Sequence, residues 1–425
     1  MTPPSATVMA DSKEGKDCIG SISVTKKEED DKENGTQPRQ RRRRRVAIFC
    51  ATWNIGREEW DFEGIRTKGM GGSEEAVVYM AQELAKLDLV VHVYGYPPSD
   101  SPCLQSHLNP RMFPAAAFFL RRPHPTSLLS DRVNKGNVGS SIVAIEETKE
   151  EEDQLYDSVV VWRDVHVLPR VAAYAKKVMF WSHDSSPTEA PLLAASIRKT
   201  PNFGHAMFLS RFHARNWISS LSSDQHIPFL ITSNGINVKQ FSDCDALLRK
   251  PFRCIYASNY RQGLLTVLDN WKTLKDKYTA LTLDIYYGWG TLSAPDPMIL
   301  MKLIELAHPM WGVRERGRID HEQLAREFST SDLWLYPANV AESFCLTATK
   351  AAAGGAIPVV VATGAMEDTV LGGYVCTKQD EFLPLFDRAA REQGTKEKLR
   401  ESLKQTARAK FAWSRVAIQW ISCIF

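Results

Sequence analysis

The sequence lacks the patterns that mark disulfide-rich, zinc-binding and membrane-spanning proteins. Its eight cysteines form no CxxC pair, and no histidine pair has metal-ligand spacing, so neither a disulfide framework nor a metal site is predicted. No stretch approaches the ~20 apolar residues of a membrane-spanning helix. The first residues also lack the apolar core of a secretory signal. These absences predict a cytoplasmic protein with reduced cysteines.

Excess charge of either sign is also scarce. The formal net charge is +3 over 425 residues, and most of the excess lies in the arginine run Arg41–Arg45. So small an excess argues neither for nor against a nucleic-acid partner, and none is expected. Residues 1–44 are polar and of low complexity, which predicts a disordered tail. Its arginines are typical of a solvated tail, with a nuclear-localisation signal or peripheral contact with an anionic membrane as alternatives.

From residue 45 onward, short apolar runs alternate with amphipathic segments, which predicts parallel sheets with crossover helices. The predicted strands form two successive series: Val46–Cys50, Val90–Tyr94, Ser158–Trp162, Val178–Trp181, Ala206–Ser210 and Phe229–Thr232, then Arg253–Ala257, Thr282–Tyr287, Asp332–Tyr336 and Ile357–Val361. Two series predict two α/β domains, at residues 45–235 and 236–408. The segment 100–153 does not follow this alternation of strands and helices, and it is predicted to be a long loop insertion that is either functional or disordered.

The last residues, 409–425, form a separate amphipathic helix in this prediction. Trp413, Val416, Trp420 and Ile424 fall on one helical face. A membrane-surface helix and docking onto the protein's own surface are the two interpretations. The apolar face has few cations beside it, which favours docking.

A glycine-rich turn opens the helix predicted over Ser73–Leu87. Gly71 and Gly72 let the backbone approach a ligand closely, and Ser73 is expected to cap the helix. A helix amino terminus offers free N–H groups to a phosphate or carboxylate. The turn is not GxGxxG, and no acidic residue closes the next strand, which counts against an NAD-dependent oxidoreductase.

Two further motifs follow predicted strands. His183 and Asp184 stand at the carboxyl end of one strand, where ligands of open α/β sheets bind. This pair could bind a sugar hydroxyl or a phosphate, although a histidine hydrogen-bonded within a loop is the simpler interpretation. In the second motif, the strand at Asp332–Tyr336 leads to Glu342 and then to an alanine-rich helix that ends at Gly354. There a carboxylate could accept sugar hydroxyls while helix amides cradle a diphosphate.

Seven motifs in order resemble the retaining GT-B enzymes of glycosyltransferase family 4. They run from GGSE through WSHD, SNGIN, NYRQGL, YYGW and GRIDH to the DLWLYP, ESF and GGAIPV block. The resemblance spans from about Val46 to the C-terminal helix. It implies a GT-B fold, in which two Rossmann-like domains face a central cleft and the last helix crosses back to the N-terminal domain.

The resemblance also implies roles for individual residues. Gly71 and Gly72 would line the cleft beneath the donor diphosphate, and Arg261 would neutralise that diphosphate. The implied catalytic residues are His183, beside the donor sugar, and Glu342, which would hold its hydroxyls. The amides that would bind sugar and phosphate belong to Ser343, Phe344, Cys345 and Leu346. The family's second glutamate stands eight residues after the first, and this sequence has Lys350 at that position. Lys350 would either reach a phosphate or ribose of the donor or mark a protein that has lost donor binding.

The implied activity is sugar transfer, of the hexosyl type, from a nucleotide-sugar donor with retention of anomeric configuration. No cofactor and no metal ion are expected. The acceptor, whether glycan, lipid-linked or protein, is not identified by the sequence. The alternatives are a GT-B-fold binding protein without turnover, which Lys350 would support, and a sugar-nucleotide epimerase.

Overall fold

The computed structural model describes residues 42–50, 59–67, 69–105, 107–121, 154–184, 186–289, 294–392 and 396–425. The predicted tail and most of the predicted insertion lie outside the described residues. The rest forms two parallel sheets with helices packed against them.

The first sheet has the strand order β3-β2-β1-β4-β5-β6-β7, and every pairing in it is parallel. Its strands are β1 Arg45–Phe49, β2 Val90–Gly95, β3 Arg111–Pro114, β4 Ser158–Trp162, β5 Val178–Trp181, β6 Phe203–Phe208 and β7 Phe229–Ile231. The central strands are buried apolar runs because helices cover both faces of a parallel sheet. The chain order reverses between β1 and β4, which opens a crevice at their carboxyl ends.

The second sheet repeats this plan with the order β10-β9-β8-β11-β12-β13. Its strands are β8 Arg253–Tyr256, β9 Thr282–Tyr286, β10 Val313–Gly317, β11 Leu333–Pro337, β12 Ile357–Val361 and β13 Tyr374–Cys376. The order reverses here between β8 and β11, so the second crevice lies at the ends of those two strands.

The connecting segments are mostly helical. In chain order the helices are α1 Gly64–Thr67, α2 Gly72–Lys86, α3 Leu168–Val171, α4 Ala190–Arg198, α5 Arg211–Ile218, α6 Val238–Ser242, α7 Leu264–Lys277, α8 Pro297–Glu305, α9 His321–Thr330, α10 Leu346–Gly354, α11 Met366–Thr369, α12 Phe382–Arg391, α13 Glu397–Lys410 and α14 Trp413–Ile424. Helix α2 begins one residue earlier than predicted, and Gly71 is its N-cap residue, so the expected capping role of Ser73 is wrong.

The described residues contain every predicted strand and three more, β3, β10 and β13. All three lie at the edge of a sheet. Two of them lack the apolar run of a central strand: β3 (RMFP) contains a proline and an arginine, and β10 (VRERG) is mostly charged. Strand β3 lies within the segment that was predicted to be a loop insertion.

The last helix, α14, docks on the first sheet. The ring of Trp420 lies 4.6 Å from that of Trp181, and its Nε1 donates a 2.9 Å hydrogen bond to Oγ1 of Thr232. Ser158 Oγ donates a 2.8 Å bond to the carbonyl of Ile424. This confirms the predicted crossing of the C-terminal helix back to the first domain. Within the described residues, no helix is both long enough and apolar enough to cross a membrane.

Candidate functional site

The amino end of α10 lies against the carboxyl ends of strands in the first sheet. Ser343, just before the helix, accepts a 2.8 Å hydrogen bond on its carbonyl from Ser210 Oγ. Its own hydroxyl donates a 3.4 Å bond to the carbonyl of His183. A Cβ added at Gly72 would lie 2.9 Å from a methyl carbon of Leu346, so α2 begins in close contact with α10. The two crevices therefore face each other across α10.

Local sequence explains why α10 starts here. Cys345 precedes it in the left-handed conformation, with φ 60°, which turns the chain sharply from the loop into the helix. The following alanines are buried and allow close packing, and a Cβ at Gly354 would lie 2.8 Å from Cβ of Phe328. The positive end of this helix is thus held in the cleft.

Glu342 is held on the approach to α10. Tyr336, at the end of β11, donates a hydrogen bond from its hydroxyl to the Glu342 carboxylate. The Glu342 carbonyl accepts a 2.8 Å bond from the amide of Ala365, which anchors the backbone. Burial raises the pKa of Glu342, and the hydrogen bond from Tyr336 opposes that effect. The carboxylate therefore has a fixed position and a desolvated environment.

His183 lies at the end of β5 with its ring almost fully buried, 8% exposed. The ring packs edge-on against Trp181, 4.5 Å away between centroids, and against Trp162. Burial lowers the pKa of His183 well below its ordinary value, with the nearby Arg163 charge adding to the effect, so the ring is neutral. Its Nε2 has no hydrogen-bond partner among the described residues. The carboxylate of the neighbouring Asp184 already has a partner, because Arg163 donates hydrogen bonds to both of its oxygens at 2.5 and 2.6 Å.

Lys350 forms an ionic cluster that joins the two halves of the protein. Its Nζ donates a 2.6 Å hydrogen bond to Glu75 of α2 and lies 3.1 Å from Nδ1 of His321. His321 Nδ1 is also 3.2 Å from the Glu75 carboxylate, and its Nε2 accepts from the amide of Met70 at 3.3 Å. The cluster thus ties the glycine turn and α2 to α9 and α10.

Glu75 is charged despite its burial. Only 2% of it is exposed, and burial by itself raises the pKa of the carboxyl. The contacts with His321 and Lys350 outweigh burial and lower the pKa of Glu75 to about 2. The cluster is therefore a true ion pair at neutral pH, and neither partner can be removed without leaving a buried charge.

A cavity of about 90 Å³ lies beside this cluster. Gly72, Leu346 and Lys350 from the predicted site form part of its wall, together with Glu75, Tyr287, Arg318 and His321. The Arg318 guanidinium lies over the Tyr287 ring, 5.2 Å from its centroid. His183, Glu342 and Arg261 are not among the lining residues.

The remaining residues predicted for the site lie outside the wall of this cavity, and some are buried while others are exposed. Gly71 adjoins it as the N-cap of α2, and Phe344 and Cys345 are buried in front of α10. Arg261 is exposed: its Nη2 donates to the carbonyl of Ala294 at 3.0 Å, and its own carbonyl accepts from Asn339. In this structure the Arg261 guanidinium therefore contacts another loop and not the cleft residues named above.

Three residues that matter to the site received no role from the sequence: Glu75, His321 and Tyr336. Lys350 provided the one available signal, because a lone lysine in a buried alanine-rich helix requires a nearby negative charge. The identity of that partner could not be inferred, since Glu75 is 275 positions away in the chain.

No protein-family model and no curated protein sequence matches this chain. Many solved structures do match it in fold. Sucrose-phosphate synthase from Thermosynechococcus elongatus superposes with a TM-score of 0.60 at 15% identity, over 89% of this chain and 98% of its own.

Two other matches are of the same quality. Alr3699/HepE from Anabaena, crystallised with UDP and glucose, gives a TM-score of 0.60 at 14% identity, over 90% of this chain and 99% of its own. AviGT4, a glycosyltransferase involved in avilamycin A biosynthesis, gives 0.57 at 12% identity, over 89% and 96%. With two parallel-sheet α/β domains and these neighbours, the chain has the GT-B fold.

Proposed function

We propose that this protein is a glycosyltransferase that moves a sugar from a nucleotide-sugar donor to an acceptor. The observation that carries the proposal is the position of α10 within the GT-B fold. Its positive end lies in the cleft between the two sheets, with the half-buried Glu342 carboxylate just before it and the Lys350 ammonium on its second turn. The complexes of HepE with UDP and glucose and with UDP-glucose support a nucleotide sugar as the donor.

The chemistry follows from the charges around the cleft. Departure of a nucleoside diphosphate leaves negative charge on the phosphate and positive charge at the anomeric carbon. The amides of Ser343 to Leu346 and the cations Lys350 and Arg318 would stabilise the phosphate charge, so the residues themselves supply what a metal ion supplies elsewhere. The glycines Gly71 and Gly72 leave room for the diphosphate beside α2.

The sugar itself would lie between His183 and Glu342. The fixed Glu342 carboxylate would accept hydrogen bonds from two hydroxyls, and the neutral His183 ring has a free Nε2 to complement another. The seven family 4 motifs support transfer with retention of configuration, in which the donor phosphate takes the acceptor's proton on the face that it leaves.

Donor binding requires the cleft to open. A cavity of about 90 Å³ is far smaller than the roughly 300–1,000 Å³ of typical ligand pockets. Opening separates α2 from α10 and therefore breaks the contact between Glu75 and Lys350. The donor phosphate would replace the Glu75 carboxylate as the partner of Lys350, which conserves the charge balance.

A second candidate is a GT-B-fold protein that binds a partner without turnover. The same ion pair favours it, because Lys350 stands where the related enzymes have a glutamate and it is already neutralised across the cleft. The two candidates differ in whether a donor is consumed.

A thermal-shift panel tests donor binding. The purified chain is heated with UDP-, GDP- and ADP-sugars and with NADH, alongside Glu342→Gln and the control Glu381→Gln, which changes an exposed glutamate. One nucleotide-sugar group is expected to raise the melting temperature of the wild type and of Glu381→Gln, with a smaller rise in Glu342→Gln. No rise with any nucleotide sugar would contradict the proposal. The same rise in both variants would remove Glu342 from the site.

A further inference from the structure

A second cavity, of about 590 Å³, lies at the edge of the second sheet, between strands β8–β10 and helix α9. Five of its lining residues are cationic, namely Lys250, Arg253, Arg314, Arg316 and Arg326, and one, Glu327, is acidic. Only Tyr286 and Ile319 are shared with the wall of the cleft cavity, so the two cavities adjoin but are separate.

A buried carboxylate organises the cationic wall. Asp284, in β9, is fully buried and accepts hydrogen bonds from Arg253 Nε at 2.7 Å, from Arg314 at 2.7 and 2.9 Å, and from Arg316 Nε at 3.3 Å. Burial raises the pKa of Asp284, but the bonds from Arg314 and Arg253 outweigh it and keep the pKa below its ordinary value. Asp284 therefore stays charged and fixes the guanidinium groups in the wall.

The carboxylates do not neutralise this wall. Five cations face two acids, Asp284 and Glu327, which leaves an excess of three positive charges. Among the described residues, Lys250 and Arg326 take part in no ion pair, and both are exposed. The side chains of Arg314 and Arg316 are each 47% exposed, so part of each guanidinium is free to contact a ligand. Unbalanced like charges in one cavity repel each other unless an anion occupies it.

We infer that this cavity binds a small phosphorylated molecule carrying about three negative charges. Guanidinium groups present paired N–H donors that match phosphate oxygens, and here they are pre-oriented by Asp284. The volume is that of a small-molecule site and leaves space for an organic part beyond the phosphates. The site is independent of the proposed donor cleft, which binds phosphate through α10 and Lys350.

Isothermal titration of the full-length chain with sodium pyrophosphate, at constant ionic strength, tests this inference. The site variant is Arg316→Gln/Arg326→Gln, which keeps the pairs of Asp284 with Arg253 and Arg314. The control is Arg198→Gln/Lys199→Gln, which removes the same charge from exposed positions on and just after α4. Pyrophosphate is expected to bind the site variant at least about tenfold more weakly than the wild type, because two charge-assisted contacts are lost. Binding to the control is expected to be unchanged.

Two further variants compare a cation of this cavity with one outside it. Lys250→Gln, in the same cavity, is expected to weaken pyrophosphate binding about threefold, in line with the loss of one cation. Lys239→Gln, at an exposed position of α6 that does not line this cavity, is expected to leave binding unchanged. Absence of binding to the wild type, equal weakening in the site variant and the control, or loss in Lys239→Gln but not in Lys250→Gln would each overturn the inference.

Discussion

Removing the ammonium group of Lys350 should destabilise the protein strongly, because it leaves the Glu75 carboxylate buried with only His321 as a partner. The fall in the pKa of Glu75 from its ordinary 4.5 to about 2 corresponds to about 3 kcal/mol of folding free energy. Breaking a buried pair on one side costs about 3–5 kcal/mol in other proteins. The pKa shift is the joint effect of His321 and Lys350, so the cost of breaking one side of a buried pair is the better guide, and we expect Lys350→Met to cost on the order of 3 kcal/mol.

Thermal unfolding at pH 7 measures this cost. A loss of about 3 kcal/mol lowers the melting temperature by about 4 °C if all described residues unfold together, and by about 8 °C if one half unfolds alone. Glu75→Gln/Lys350→Met, which removes both charges, should recover most of the loss, because no buried charge is left unpaired. The matched control is Lys239→Met. It breaks a pair with Asp243 whose lysine is 80% exposed, and it should lower the melting temperature far less than Lys350→Met does.

A double-mutant cycle over Glu75 and Lys350 isolates the pair. The two changes should couple by about 0.5–3 kcal/mol, the range for residues in contact or in one salt-bridge network. If Lys350→Met melts within about 1 °C of the wild type, or if the two changes add without coupling, the cross-cleft pair does not hold the halves together.

Three other predictions follow from the structure. Because the folded-state pKa of Glu75 lies below its ordinary value, the contribution of Glu75 to stability is complete above about pH 4.5 and is lost as the pH falls toward about 2. The melting temperature of Glu75→Gln should therefore fall less steeply than that of the wild type over that range, and parallel curves would refute this. Trp420→Ala should cost about 3–5 kcal/mol in urea unfolding, because the indole packs on Trp181 between α14 and the first sheet. The control Ile418→Ala, at a 61% exposed position of the same helix, should change stability by less than about 0.5 kcal/mol. Equal costs would mean that α14 does not dock through Trp420. Lys350→Glu introduces the acid that the family 4 resemblance predicts at this position but places two carboxylates together, so its melting temperature should fall at least as far as that of Lys350→Met. Glu75→Gln/Lys350→Glu should recover part of the loss, and a Lys350→Glu protein as stable as the wild type would show that Glu75 is not its neighbour.

The two-domain plan was predictable because buried parallel strands leave a clear signal. Runs such as Ser158–Trp162 and Ile357–Val361 are apolar at nearly every position, and the structure places both strands where the sequence indicated. Strand β10 was missed for the opposite reason. Its arginines pair with Asp284 and its glutamate accepts a hydrogen bond from Tyr260 at an open sheet edge, so its sequence resembles a charged loop.

The site was predictable only where neighbours in sequence are neighbours in space. The approach from β11 through Glu342 into α10 is one continuous segment, and motif analysis described it in the right order. The Glu75–Lys350 pair joins segments from different domains, and nothing local indicates which acid meets the lysine. The Arg261 guanidinium was expected at the diphosphate, but its contact with Ala294 depends on loop packing that the sequence does not specify.

The most direct test of the proposed function is release of nucleoside diphosphate from the nucleotide sugar that stabilises the protein, with water as the default acceptor. The account predicts slow release by the wild type and by Glu381→Gln, and release at least about 100-fold slower in Glu342→Gln, the usual cost of losing a contact made in the transition state. A wild-type protein that is stabilised by a nucleotide sugar but releases no nucleotide, alone or with glycan, lipid-linked or protein acceptors, would contradict catalysis. That result would identify the chain as a GT-B-fold binding protein.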